Sequence, residues 1–120
     1  MSQAAAQAAA FLTEVARGGR LWALSGKSGM PTARTRQGHA VPFWSSQARA
    51  EAVVSSVAAY REYEPVELNW VEFRDKWLAD LEREGLRVGV NWTGQRAMGY
   101  DFDAASVRAR VEAEQNLPSN

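Results

Sequence analysis

The stretch Leu86-Arg87-Val88-Gly89-Val90-Asn91-Trp92 decides the architecture. Leu86, Val88, Val90 and Trp92 fall at every second position, the period of a strand with one buried face. Upstream, Gly85 closes a helix that Asn69 caps, as helix ends prefer. Its apolar stripe is Trp70, Phe73, Trp77, Leu78 and Leu81, and Glu72, Lys76, Asp80 and Glu84 occupy the outer face. Residues 65–68 form a brief strand before it. Further back, Ser45 or Ser46 caps a helix that buries Ala50, Val53, Val54 and Val57 and ends near Tyr60. Residues 40–44 make another short strand, in which Pro42 implies an edge or a bulge. Downstream, residues 93–98 are a loop, and Asp103 caps a last helix that buries Val107 and Val111. Alternating strands and helices favour crossover connections and parallel pairing in this half.

The first third reads differently. Ala8, Phe11, Leu12 and Val15 lie on one helical face, and Gly18-Gly19 ends the helix. Residues 21–24 suit a buried strand, and Gly26-Lys27-Ser28-Gly29 is a turn. Residues 32–37 alternate, with Arg34 and Arg36 on one face. Together these read as a hairpin with a solvated outer strand, and Gly38-His39 breaks the pattern. The expected fold is α/β, near the α+β boundary: a single two-layer domain with a mixed sheet and helices packed mainly on one face. Residues 1–120 form one domain, ordered from about 3 to 115, with a frayed tail at 116–120.

Composition narrows the function. The chain of 120 residues has no cysteine. That excludes disulfides, thiolate metal sites and cysteine nucleophiles, and fits a reducing compartment. No apolar run approaches the roughly 20 residues that span a bilayer, and the alanine-rich start reads as a helix rather than a signal peptide. The net charge of zero argues against general nucleic-acid or membrane binding. The distribution is uneven. Residues 1–50 carry six Lys/Arg against Glu14 alone, and no acid lies between Glu14 and Glu51. Such asymmetry points to an anionic partner.

Familiar chemical motifs fail on their own terms. Gly26-Lys27-Ser28 ends like a phosphate-binding loop, but position 21 is Leu where the motif needs Gly. His39 is the only histidine, without an evident partner to make it a base. Asp101 and Asp103 are a possible carboxylate pair for a hard cation, although a cap at Asp103 and an arginine or water beside Asp101 explain them more simply. No cofactor or metal ligand set emerges. Trp22, Trp70 and Trp77 read as core, whereas Trp44 and Trp92 sit at strand ends, where ligands bind in parallel sheets. Lys27, Arg34, Arg36 and His39 form a candidate basic patch, able to grip carboxylates or to blunt a strand edge.

Phe11-Leu12, Gly19-x-x-Trp22-x-Leu24, Pro42-Phe43-Trp44-Ser45, Trp77-Leu78 and Gly89-Val90-Asn91-Trp92 together resemble a bacterial family known as domain of unknown function 2750. The resemblance runs from about Phe11 to Val111. It implies a small bacterial cytoplasmic α/β protein and carries no activity or catalytic residue with it. In layout, Pro42-Phe43-Trp44-Ser45 and Val90-Asn91-Trp92 also look similar to the N-terminal domain of the enhanced-serine-sensitivity (SseB-like) family, with Trp92 where that family has proline. This second similarity implies a binding or regulatory domain.

Two functions follow as expectations. The first is a non-enzymatic module that binds an acidic protein through Lys27, Arg34, Arg36 and His39 and the aromatic strand ends. The second is a small-ligand sensor or enzyme with a pocket near Trp44, Asn91 and Trp92. Neither ligand nor oligomeric state is legible.

Overall fold

The computed structural model describes residues 2–118. Strand β3 (Gly38–Phe43) lies parallel to β5 (Leu86–Val90), with Val41 beside Val88 and Phe43 beside Val90. On the other side of β3, β2 (Ala33–Thr35) pairs antiparallel. On the other side of β5, β6 (Asp101–Phe102) does the same. A second ribbon pairs β1 (Arg20–Ser25) with β4 (Glu64–Asn69) along their whole lengths. The two sheets meet at one point, where Trp22 and Trp44 exchange backbone N–H···O bonds of 2.7 and 2.9 Å.

Alternation sorts the strand side chains into two cores. Leu21, Ala23, Val41, Phe43, Val88 and Val90 face α1 (Gln3–Gly18), α5 (Ala104–Gln115) and the long helix between β4 and β5. Trp22, Leu24, Ala40 and Trp44 face α2 (Gln47–Ser56) and the loop bearing Ala97. Helices thus cover mainly one face, and the fold is α/β. The long helix is regular in α3 (Trp70–Glu72), widens to a π turn over Phe73–Trp77, and is regular again in α4 (Leu78–Arg83). Phe43 packs edge-on against Phe73, at 4.9 Å between ring centres, and against Trp77, at 6.5 Å.

The caps fall where side-chain chemistry places them. The Asn69 carboxamide oxygen accepts from the amides of Val71 and Glu72, Ser46 from Arg49, and Asp103 from Ser106. The α1 helix ends at Gly19, with φ 70°.

Strand pairing differs from the sequence expectation. Residues 21–24 do not form a hairpin with 32–37; the hairpin is β2–β3, and β1 departs to β4. Gly26 and Gly29 do close a tight turn, but Met30 then packs against the core and Pro31 is buried, which carries the chain away from β1. Gly38 is the hinge of the real hairpin: at φ 146° it adopts backbone that a side chain resists. It opens β3 together with His39 rather than breaking a strand. Pro42 is not on an outer strand. Its nitrogen faces the gap on β3 where β2 has ended and β1 has not yet arrived, so no ladder bond is lost. In the expected tail, Asn116–Pro118 follow the end of α5, and residues 119–120 lie outside the described residues.

Candidate functional site

The carboxyl ends of the parallel strands β3 and β5 lie side by side, the position where α/β sheets bind ligands. Here the polar groups bond to one another. Asn91, 1% exposed, follows β5 with φ 50°, a left-handed conformation that asparagine tolerates. Its Oδ1 accepts from the Ser45 amide at 2.9 Å, and its Nδ2 donates to the Gln7 carbonyl at 3.1 Å and to Ser45 Oγ at 2.9 Å. Ser45 Oγ donates to Glu14 at 2.7 Å, and Arg49 grips the same carboxylate at 3.0 and 3.3 Å. Partial burial pushes the Glu14 carboxyl up, but the hydrogen bonds from Arg49 and Ser45 and the Arg49 charge outweigh it and hold it below its ordinary value. This network locks α1, α2 and both strand ends together.

The left-handed turn at Asn91 also redirects Trp92. The indole folds back over β5, so close to Gly89 that a Cβ there would lie 2.4 Å from the ring. Gly99 approaches the other part of the ring at a Cβ distance of 2.8 Å. Trp92 Nε1 donates to the Tyr100 carbonyl, and Trp44 Nε1 to the Trp92 carbonyl, both at 2.9 Å. Both indoles are buried, so Trp92 belongs to the core rather than to an open rim, while Trp77 is the half-buried one.

Outside this plug lies a groove of about 500 Å³. One wall is residues 33–37 and the other 97–101, with Trp92 at its base. The Thr35 hydroxyl donates to Asp101 at 3.0 Å and ties the walls together. Asp101 is also held by Arg87 at 2.7 Å, with its side chain only 6% exposed. Met98 and Tyr100 are exposed on the second wall. Thr93 and Met98 exchange backbone bonds of 3.1 Å, which fixes that wall.

The residues singled out from sequence are partly gathered here. Arg34 and Arg36 border the groove, but they are not a same-face strand pair: β2 stops at Thr35, and Arg36 lies in the turn. Arg34 stands directly opposite His39 across the hairpin. Lys27 is exposed on the earlier Gly26–Gly29 turn. Trp92 joins the groove, whereas Trp44 and Asn91 are sealed behind it. Asp103 caps α5, and the amide and hydroxyl of Ser106 hold its carboxyl below the ordinary value. Among the described residues, no group of three or more His, Asp or Glu is placed to hold a metal ion, and no helix is long and apolar enough to cross a membrane. Met98 and Tyr100 escape sequence reading; their signal was two large apolar side chains within a polar, glycine-bearing loop.

Fold and site define a small α/β domain with a self-satisfied strand-end network and a groove beside a basic hairpin. The chain belongs to the family described as protein of unknown function (DUF2750), which matches residues 8–111. No curated protein matches it.

Proposed function

We propose that this protein is a non-enzymatic binding module of the bacterial cytoplasm that docks an acidic protein partner on the basic hairpin and its groove. One observation carries the reading. Arg20, Arg49, Arg74, Arg83, Arg87 and Arg108 each pair with an acid, and of the arginines that make no ion pair among the described residues (Arg17, Arg34, Arg36, Arg61, Arg96 and Arg110) Arg34 and Arg36 are the two that line the groove. Charge left unneutralised beside a groove favours an anionic partner. The acid-free interval from Glu14 to Glu51 supports the same reading, and the absence of cysteine suits a reducing compartment. The buried polar groups at Asn91 and Ser45 are engaged with one another, which leaves little there for chemistry on a substrate.

The test is association with the partner, once isolated, at rising salt and after Arg34→Glu with Arg36→Glu. Binding is expected to weaken with salt, because exposed charges are screened within about 10 Å at 0.1 M. The charge reversal should slow association more than it speeds release. Indifference to both would overturn the reading. A second reading, a small-ligand sensor, is favoured by the groove volume of about 500 Å³, within the range of small-molecule sites. It replaces the first if small organic anions raise the melting temperature and the charge reversal leaves protein association unchanged.

A further inference from the structure

Two large exposed apolar side chains, Met98 at 66% and Tyr100 at 45%, stand on one wall of the groove. The opposite wall carries Arg34 and Arg36. The one carboxylate in the lining, Asp101, is neutralised by Arg87. The groove is therefore apolar on one side and net positive on the other. It is also preformed: Trp92 is pinned by its bond to the Tyr100 carbonyl, and Thr35 bonds across to Asp101. Preformed walls spare an occupant the cost of ordering them.

We infer that the groove takes a short extended acidic segment of a partner, with one aliphatic or aromatic side chain against Met98 and Tyr100 and its carboxylates against Arg34 and Arg36. This rests on the binding-module reading and names its occupant. Charge complementarity selects acidic residues, and Arg pairs readily with carboxylates. The exposed methionine and tyrosine select an apolar one, since Met adapts to varied shapes and Tyr gives contact area at low entropic cost. A flat acidic surface would satisfy the arginines and leave the apolar wall wet.

Three labelled peptides, blocked at both ends, separate these outcomes by fluorescence anisotropy with the full chain: an acidic pentapeptide with a central leucine, the same with central glycine, and the leucine peptide with lysines for acids. The acidic leucine peptide is expected to bind about tenfold tighter than the glycine peptide, the value of about 1.4 kcal/mol of apolar contact. The lysine peptide should not bind. Met98→Ser with Tyr100→Ser should reduce the leucine peptide to the level of the glycine one, with a melting curve confirming the fold. Equal binding of the leucine and glycine peptides, abolished by Arg34→Glu with Arg36→Glu, would sink the apolar anchor and leave electrostatic docking standing. Displacement of the leucine peptide by an equal concentration of citrate would assign the groove to small anions and overturn the inference. Failure of every peptide, with salt-sensitive association of a folded partner intact, would exclude a segment. Failure of every peptide together with salt-independent association would remove both readings.

Discussion

Gly89→Ala tests the fold-back of Trp92 most directly. Position 89 does not need glycine for its backbone; alanine in a strand gains about 0.5–1 kcal/mol over glycine. The obstacle is the indole, whose Cε2 and Cζ2 would lie 2.4 and 2.5 Å from the new Cβ, with Nε1 at 2.9 Å. The ring has little room to retreat, because Gly99 sits against its Cδ1 side and its N–H is committed to Tyr100. Overpacking of this kind costs about 1–3 kcal/mol. If the indole shifts but stays buried, its N–H loses the Tyr100 carbonyl at a further cost of about 1–3 kcal/mol. The expected loss is therefore about 2–5 kcal/mol, a large share of the roughly 5–15 kcal/mol that holds a domain together. Urea titrations of wild type, Gly89→Ala, Trp92→Ala and the double variant measure it. In the Trp92→Ala background the alanine at 89 meets no ring, so it should be neutral or mildly stabilising, giving a coupling energy of about 2 kcal/mol or more. Equal costs in the two backgrounds would refute the reasoning, since the damage would then have nothing to do with the indole.

Three further outcomes follow from the same geometry. Trp92→Ala should destabilise at least as much as Trp77→Ala in a denaturant titration, because Trp92 is 2% exposed and Trp77 is half-buried; the reverse ranking would place Trp92 at an open rim. Asn91→Asp turns the amide that donates to Gln7 and Ser45 into an acceptor facing acceptors, so it should cost about 3 kcal/mol or more, whereas Asn91→Gly suits the left-handed backbone and should cost less. Wild-type stability of Asn91→Asp at pH 7 would contradict the hydrogen-bond assignment. The Glu14 carboxyl is held below its ordinary value of 4.5, so its contribution is present above that pH and lost as the pH falls through the lower folded value. The stability gap between wild type and Glu14→Gln should stay level from neutrality down to about pH 5 and close below it, remaining under about 1 kcal/mol because the pair is partly solvated. A gap that widens in acid would reverse the sign of the argument.

The local grammar of this chain was legible. Asn69 and Asp103 are caps because a short polar side chain reaches free amides, and that can be read without knowing the fold. The alternation of Leu86, Val88 and Val90 marks β5, and the expected parallel pairing exists, but between β3 and β5; the strand at 64–69 that lies between them in sequence leaves to pair antiparallel with β1. What escaped was set by distant partners. β1 pairs with β4, some forty residues away, and nothing near Leu21 announces it. The six-residue alternation over 32–37 suggested a long strand, but only 33–35 have a partner to bond with. Trp44 and Trp92 were correctly placed at strand ends. Trp44 is buried by its bridge to Trp22 and its packing under α2, and Trp92 is turned inward by the left-handed Asn91, which leaves Met98 and Tyr100 as the exposed apolar groups of that loop. Asp101 found an arginine, but the identity of that arginine, Arg87, follows only from the pairing of β5 with β6.

The π turn at Phe73–Trp77 behaves as one residue more than a regular helix would hold. Each residue of an α-helix advances the face by about 100°. Without the extra residue, Leu78 and Leu81 would rotate by that angle relative to Trp70 and Phe73, and the two halves of the long helix could not both face Phe43 and its neighbours. The extra residue in this turn therefore sets the phase between the two halves of the helix. Shortening this segment by one residue would regularise the hydrogen bonds and misphase the core. Length is thus more tightly constrained here than the identity of the exposed Asp75 or Lys76.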